Sequence, residues 1–108
     1  MAAKVTDLRS ALKMLEDMPG QLIETDVEVE PMAELSGVYR HVGAGGTVMR
    51  PTKEGPAMIF NNVKGDPGEI VAIGVLASRT RVGALLECNP KDLGKKLYNS
   101  VDNRIQPV

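Results

Sequence analysis

A histidine, a cysteine and several charged side chains are the parts of this sequence that could do chemistry. His41 is the one histidine in the 108 residues, and it follows Tyr39 and Arg40. A metal site gathers several His, Cys or carboxylate ligands, and a general base needs a partner that orients it. Because the neighbours of His41 offer neither, we predict a surface or interface histidine.

Cys88 is the one cysteine, so the chain has no internal disulfide and no paired-cysteine metal knuckle. Lys91 is the nearest following cation that would favour a reactive thiolate. Catalysis by a cysteine–histidine pair would require Cys88 and His41 to meet in space. The sequence gives no sign of that, and we predict that Cys88 is a small buried side chain.

Residues 43–46, Gly-Ala-Gly-Gly, form a run whose bare backbone N–H groups could cradle a phosphate. A dinucleotide-binding loop follows a strand and opens a helix with GxGxxG spacing, and a P-loop requires Gly-Lys followed by Ser or Thr. This run instead ends a predicted helix. We therefore predict a helix C-cap leading into a loop, with phosphate binding as the alternative.

Two sets of polar residues lie on or beside predicted strands. Carboxylates on one face of a strand could bind a hard cation or share a proton, although a solvated strand face is the commoner arrangement. Adjacent asparagines at a strand end form either a polar site or a turn. The residues concerned are Glu24, Asp26, Glu28 and Glu30, and the pair Asn61-Asn62.

Basic residues flank the glycine run and begin the predicted third helix. Arg50 and Lys53 follow the run, Arg40 precedes it, and Arg79 and Arg81 lie further along the chain. Guanidinium groups pair well with carboxylates, either of a ligand or of another domain. The residues that we predict to dock another domain or to face a ligand are Arg40, His41, Arg50 and Arg79.

Four helices are predicted from apolar spacing and from Pro and Gly. The first starts after Thr6 or Asp7 and stops at Pro19-Gly20, and the second starts at Pro31 and stops at Gly43, where a loop over residues 43–56 begins. The third spans residues 79–88 with a Ser78 cap and with Val82, Leu85 and Leu86 inward. The fourth, capped by Asn89 with Pro90 first, runs to Asn103 with Leu93, Leu97 and Val101 on one stripe.

Three strands are predicted over residues 21–29, 57–63 and 70–76. The third is almost continuously apolar, which is typical of a central strand covered on both faces. A Lys-Gly-Asp-Pro-Gly turn joins the last two strands into a hairpin. The expected fold is a single α+β domain over residues 1–108: a small mixed or antiparallel sheet with about four helices packed on it.

Composition excludes several classes of protein. The hydrophobic and charged fractions, 43% and 25%, are ordinary globular values, which argues against global disorder. A net charge of −1 and three scattered aromatic residues give no basis for nucleic-acid binding. No stretch approaches the roughly 20 apolar residues of a membrane span, and the first residues do not have the pattern of a signal peptide. We expect a cytoplasmic protein.

Much of the sequence resembles the start of UbiD-type decarboxylases. The stretches that carry the resemblance are residues 7–9, 24–31, 33–48, 50–52, 55–65 and 77–79. They follow the family's order and spacing across nearly the whole chain. Among the branches of the family, the sequence is most similar to the gallate and protocatechuate (hydroxybenzoate) decarboxylases.

The resemblance implies non-oxidative removal of carbon dioxide from a hydroxylated aromatic acid. It also implies prenylated FMN, with a divalent metal and potassium holding its phosphate, in a homo-oligomeric full-length enzyme. The family's catalytic network and its cofactor ligands belong to the central domain that follows. No catalytic, cofactor-binding or metal residue is therefore transferred to this chain.

The chain is accordingly expected to be a structural N-terminal domain, inactive alone, whose partners are the catalytic and C-terminal domains. Substrate is expected to bind only to the whole enzyme. One alternative is a free-standing module that binds a small ligand or another protein. Another is a complete small enzyme that uses His41 or Cys88.

Overall fold

A computed structural model of the protein describes residues 4–44 and 54–108. These residues form four α-helices and a three-stranded mixed sheet, which confirms the predicted α+β class. In chain order the elements are α1 (Leu8–Glu16), β1 (Leu22–Thr25), α2 (Glu34–Ala44), β2 (Ala57–Phe60), β3 (Val71–Ile73), α3 (Arg79–Leu85), a 3-10 turn (Pro90–Asp92) and α4 (Leu93–Ser100).

The middle strand of the sheet is β2. It pairs in parallel with β1 and antiparallel with β3, so the predicted hairpin is confirmed. The prediction that residues 70–76 form the central strand is wrong, because β3 is a three-residue edge strand and Ile70 and Leu76 are exposed. Gly74 has φ +79°, which ends the extended conformation after Ile73. All four residues of β2 are buried instead.

The core lies mainly between the sheet and α2. Met58 and Phe60 of β2 pack there with Val29, Leu35 and Val63. Side chains alternate along a strand, so Ala57 and Ile59 point to the opposite face. On that side α1, whose buried residues are Ala11 and Leu15, packs against β1 and α3. The central strand β2 is buried along its whole length, whereas the two edge strands are partly exposed.

The first two strands are shorter than predicted. β1 ends at Thr25 rather than at residue 29, and β2 ends at Phe60 rather than at residue 63. Beyond these ends, Val29 and Val63 still form an isolated parallel bridge. The intervening Val27 is exposed, so this part of the predicted strand is a loop.

The starts of α1 and α3 follow the predicted capping chemistry, whereas α4 begins at Leu93 rather than at Pro90 and its N-cap makes no side-chain hydrogen bond. The side chain of Asp7 accepts a 2.8 Å bond from the N–H of Ser10, and that of Ser78 accepts a 3.3 Å bond from the N–H of Arg81. Asn89 caps the 3-10 turn, which precedes α4, and Pro90 is the first residue of that turn. The predicted start at Pro31 is wrong, because Ala33 has φ +73° and α2 begins only at Glu34.

The predicted ends of α3 and α4 are also corrected. α3 stops at Leu85, and Glu87 with φ +57° prevents its continuation to Cys88. α4 is regular only to Ser100 and continues as a turn through Asn103. Of the apolar stripe predicted for this helix, Leu93 is buried, whereas Leu97 and Val101 are exposed.

Candidate functional site

The side chain of Arg81 lies at the centre of the main polar cluster among the described residues. It is 1% exposed, and its Nη1 donates to the carbonyl oxygen of Gly55 at 2.7 Å and to Oε1 of Gln21 at 3.0 Å. Its Nη2 donates to the carbonyl oxygen of Gly74 at 2.9 Å. The guanidinium therefore joins the residue before β1, the segment before β2 and the residue after β3.

The charge of Arg81 is buried, and no carboxylate among residues 4–44 and 54–108 pairs with it directly. Burial lowers the pKa of Arg81, while the nearby Tyr39 and Glu54 oppose that change. An arginine nevertheless stays protonated in a protein. Its Nε has no hydrogen-bond partner among the described residues. A buried charge is expensive unless it is well hydrogen-bonded, so the three acceptors are what makes this placement tolerable.

Glu54 borders the cluster on the solvent side. Its carboxylate accepts a hydrogen bond from the hydroxyl of Ser78, the residue that caps α3. Hydrogen bonds from the side chains of Ser78 and Thr80 lower the pKa of Glu54, and the charge of Arg81 lowers it further. The carboxylate therefore stays ionised at neutral pH and compensates part of the arginine's charge.

Three glycines allow close packing beside the cluster. A Cβ added at Gly74 would overlap the ring of Tyr39, and one added at Gly43 would lie 2.6 Å from Cε2 of the same ring. A Cβ at Gly55 would overlap the backbone of Gly43. Only glycine fits at these contacts. The three glycines therefore let α2 pack closely against the segment before β2 and against the end of β3.

The four residues predicted to dock a domain or to face a ligand are only partly brought together. Arg40 and His41 are neighbours on α2, where Arg40 is half-buried and His41 is exposed. Arg79 is exposed at the start of α3, two residues from Arg81. Arg50 lies outside the described residues, as does most of the predicted loop over residues 43–56, whereas Gly43 and Ala44 belong to α2. Their proposed role stays a prediction.

The other predicted reactive groups are placed as follows. The side-chain Nδ2 of Asn61 donates to Glu24 at 2.7 Å and to Asp26 at 2.9 Å, so these two carboxylates share one donor on one face of the sheet. Glu30 instead pairs with Lys64 at 3.4 Å. Cys88 is half-buried beyond α3. Within residues 4–44 and 54–108, no three His, Cys, Asp or Glu side chains are grouped closely enough to hold a metal ion.

The surface depressions give little support for a cofactor site in the described residues. One of about 580 Å³ runs along the polar side of α4 and includes Lys95, Lys96 and Asn99, all exposed. A smaller one of about 260 Å³ lies between α1 and the sheet, beside Glu24 and Ile59. Both are open to solvent. The described side chains do not fit a flavin phosphate with its metal.

Sequence reasoning missed two members of the cluster. Arg81 was noted only as one of the basic residues that begin the third helix and was not among the predicted docking residues, and Glu54 was not singled out. A buried arginine carries no periodicity signal, because charged residues are normally exposed. The one local clue is the position of Arg81 three residues after the capping Ser78, which points its side chain back toward the start of the helix.

None of the helices within residues 4–44 and 54–108 has the length and apolar character needed to cross a membrane.

Comparisons with known proteins agree with one another. Residues 14–101 match the model of the 3-octaprenyl-4-hydroxybenzoate carboxy-lyase N-terminal domain. Gallate decarboxylase of Lactiplantibacillus plantarum is 54% identical over 107 residues, which are 99% of this chain and 22% of that protein. A 3,4-dihydroxybenzoate decarboxylase of Sedimentibacter hydroxybenzoicus is 65% identical over 26 residues, covering 24% of this chain and 93% of that sequence.

Two solved structures share the fold. The apo 3,4-dihydroxybenzoic acid decarboxylase of Enterobacter cloacae superposes with a TM-score of 0.87 at 53% identity, over 98% of this chain and 22% of that one. The apo enzyme of Klebsiella pneumoniae gives a TM-score of 0.86 at 48% identity, over 95% and 21% of the two chains. The chain thus spans about a fifth of the length of the gallate decarboxylase and of both structures.

Proposed function

Since the chain belongs to the UbiD N-terminal domain family, we propose that it serves as the N-terminal domain of an enzyme that decarboxylates hydroxylated aromatic acids without oxidation. The observation that carries this proposal is a similarity to gallate decarboxylase that extends over 99% of the chain. A domain shared at this level of identity, with the same fold, supports the same role in a longer protein.

The chemistry is proposed to belong to the remainder of such an enzyme. The family implies prenylated FMN as the group that supplies the electron sink for loss of carbon dioxide. A divalent metal and potassium at its phosphate, a homo-oligomeric assembly and a cytoplasmic location belong to the same proposal. This chain contributes a folded support, in which the Arg81 cluster joins β1, β2 and β3 at one end of the sheet.

A chimera tests the proposal. The matching segment of L. plantarum gallate decarboxylase is replaced by this chain, and the release of carbon dioxide from gallate is measured on the cofactor-loaded protein. We expect the chimera to be active, the decarboxylase without the segment to be inactive, and the 108-residue chain alone to release nothing. A folded chimera without activity, or full activity of the truncated enzyme, would contradict the proposal.

The alternative of a free-standing binding module makes a different prediction. Such a module would bind gallate or protocatechuate by itself, which isothermal titration of the 108-residue chain measures. We expect no heat of binding. A saturable signal that is lost in His41→Ala or Arg79→Ala would favour the module, because these side chains are exposed and available to a ligand.

A further inference from the structure

We infer that the exposed apolar side of α4 is the surface through which this domain docks onto the remainder of the decarboxylase chain. The α4 face, as we call it, consists of Leu97, Tyr98 and Val101. Their exposed fractions are 55%, 77% and 62%. The inference rests on the proposed function. It adds the location of the contact between this domain and the rest of the enzyme.

The helix is too short and too poor in helix-forming residues to stand alone. It has eight residues, among them Gly94, Asn99 and Ser100, and isolated helices shorter than about 12–15 residues are marginal in water. Leu93 is its one buried residue. Helices of this kind are stabilised by packing of an apolar side, and within the described domain α4 packs mainly on the preceding 3-10 turn.

The apolar residues of α4 lie on one side of the helix. At 100° per residue, Leu97, Val101 and Tyr98 fall within an arc of about 100°, which is the width of a core-facing stripe. Lys95, Lys96 and Asn99 occupy the other side. Gly94 lies within the same arc, and a Cβ added there would meet nothing within 4 Å. The surface is therefore apolar and unobstructed, which suits an apolar partner surface.

The length of the relatives indicates what covers the α4 face. The chain matches about a fifth of each decarboxylase, and the matching family is an N-terminal domain, so most of such an enzyme follows the segment that ends with α4. A surface in the part of the enzyme that follows α4 has a high effective concentration at this helix, because the two belong to the same chain.

Hydrogen exchange in two proteins tests the inference. The amides of residues 93–101 are followed in the 108-residue chain and in the chimera with gallate decarboxylase. We expect exchange to be at least about tenfold slower in the chimera, because docking suppresses local opening of the helix. Leu97→Asp with Val101→Asp should remove this protection and lower the melting temperature of the chimera, while leaving the melting temperature of the isolated chain nearly unchanged.

Val27→Asp is the matched control, since Val27 is also apolar and 70% exposed but follows β1. Equal exchange of residues 93–101 in both proteins, or equal harm from Val27→Asp, would overturn the inference. The inference would also be overturned if the isolated chain were a dimer by sedimentation and became monomeric with Leu97→Asp, because a second copy would then cover the face.

The chimera separates the two proposals. An active chimera that tolerates the α4 substitutions would refute the docking surface alone, whereas a folded, inactive chimera with native α4 would refute the proposed function.

Discussion

Nη1 of Arg81 donates a hydrogen bond of 2.7 Å to the carbonyl oxygen of Gly55, which lies 26 residues earlier in the chain. Gly55 also approaches the backbone of Gly43 so closely that no Cβ fits between them. One guanidinium thus fixes the segment that enters β2, at a point where α2 is also in contact. The stability of this end of the sheet should depend on Arg81 more than on any salt bridge at the surface, where exposed pairs contribute little.

Arg81→Met should destabilise the chain by about 3 kcal/mol. The substitution keeps much of the apolar volume but leaves the carbonyl oxygens of Gly55 and Gly74 and the amide oxygen of Gln21 without their donor, and each buried unsatisfied group costs about 1–3 kcal/mol. Urea denaturation followed by circular dichroism measures the free energy of unfolding.

Arg79→Met is the control, because Arg79 begins the same helix and is exposed. Its effect should stay within about 0.5 kcal/mol. Arg81→Lys should recover only part of the loss, since one ammonium cannot reproduce the forked donors that reach three acceptors. Equal stability of the Arg79 and Arg81 variants would contradict a central role for this cluster.

Gly74→Ala should destabilise the chain more than Gly20→Ala. The two glycines have nearly the same left-handed conformation, φ +79° and +74°, so both substitutions carry the backbone penalty of about 1–2 kcal/mol. Only at Gly74 does the added Cβ also overlap the ring of Tyr39. The difference between their thermal midpoints therefore reports this packing contact, and identical midpoints would mean that the ring moves aside freely.

Two glycines of α2 should respond in opposite directions to alanine. Gly37 has open space around its Cβ position, and Gly37→Ala should stabilise the chain by about 0.5–1 kcal/mol through helix propensity. Gly43→Ala gains the same propensity but places its Cβ 2.6 Å from the ring of Tyr39, and a net loss of stability is expected. Denaturation midpoints of both variants check the signs. Stabilisation by Gly43→Ala would show that the contact is not tight.

The ionised form of Glu54 stabilises the fold, so the free energy of unfolding should fall at acid pH, where this carboxylate is protonated. The folded-state pKa of Glu54 lies below its unfolded value because Ser78 and Thr80 donate hydrogen bonds to the carboxylate. The resulting stabilisation is fully present above the unfolded-state pKa of Glu54 and is lost as the pH falls through the lower folded-state pKa. Glu54→Gln should therefore be less stable than the native chain at pH 7 and equally stable at strongly acid pH.

The comparison with Glu54→Gln is necessary because Asp7 contributes a decline in the same range. Its pKa is also lowered, first by the hydrogen bond from the backbone N–H of Ser10. The difference between the two proteins cancels the contribution of Asp7 and isolates that of Glu54. A difference in unfolding free energy that stays constant from pH 7 to pH 2 would contradict the effect.

Local signals in the sequence were sufficient for most elements of the fold. Helix caps at Asp7, Ser78 and Asn89 were predicted correctly, as was the hairpin between β2 and β3, because each depends on side chains or turns within a few residues. The order of the strands was not predicted. Residues 70–76 form a longer apolar run than the predicted strand over residues 57–63, which contains Asn61 and Asn62, yet the central strand lies within residues 57–63, since pairing partners are chosen across the whole chain.

The polar cluster shows more clearly what local sequence signals do not predict. Arg40, Arg79 and Arg81 have the same side-chain type, but Arg81 is buried and Arg79 is exposed. Apart from the position of Arg81 three residues after the capping Ser78, the local sequence does not separate them, because the acceptors of Arg81 come from Gln21, Gly55 and Gly74. The absence of a paired cysteine, of a phosphate-loop motif and of a basic excess, in contrast, could be read directly from the sequence.

The sequence by itself determined the family, the α+β class, and the capped starts of α1 and α3, because motif order, periodicity and capping are properties of neighbouring residues. The tertiary structure alone decided which strand lies at the centre, which arginine is buried, and which side of α4 is left uncovered. Each of these depends on contacts between residues distant in the chain, and the free energy of such contacts exists only once the segments have come together.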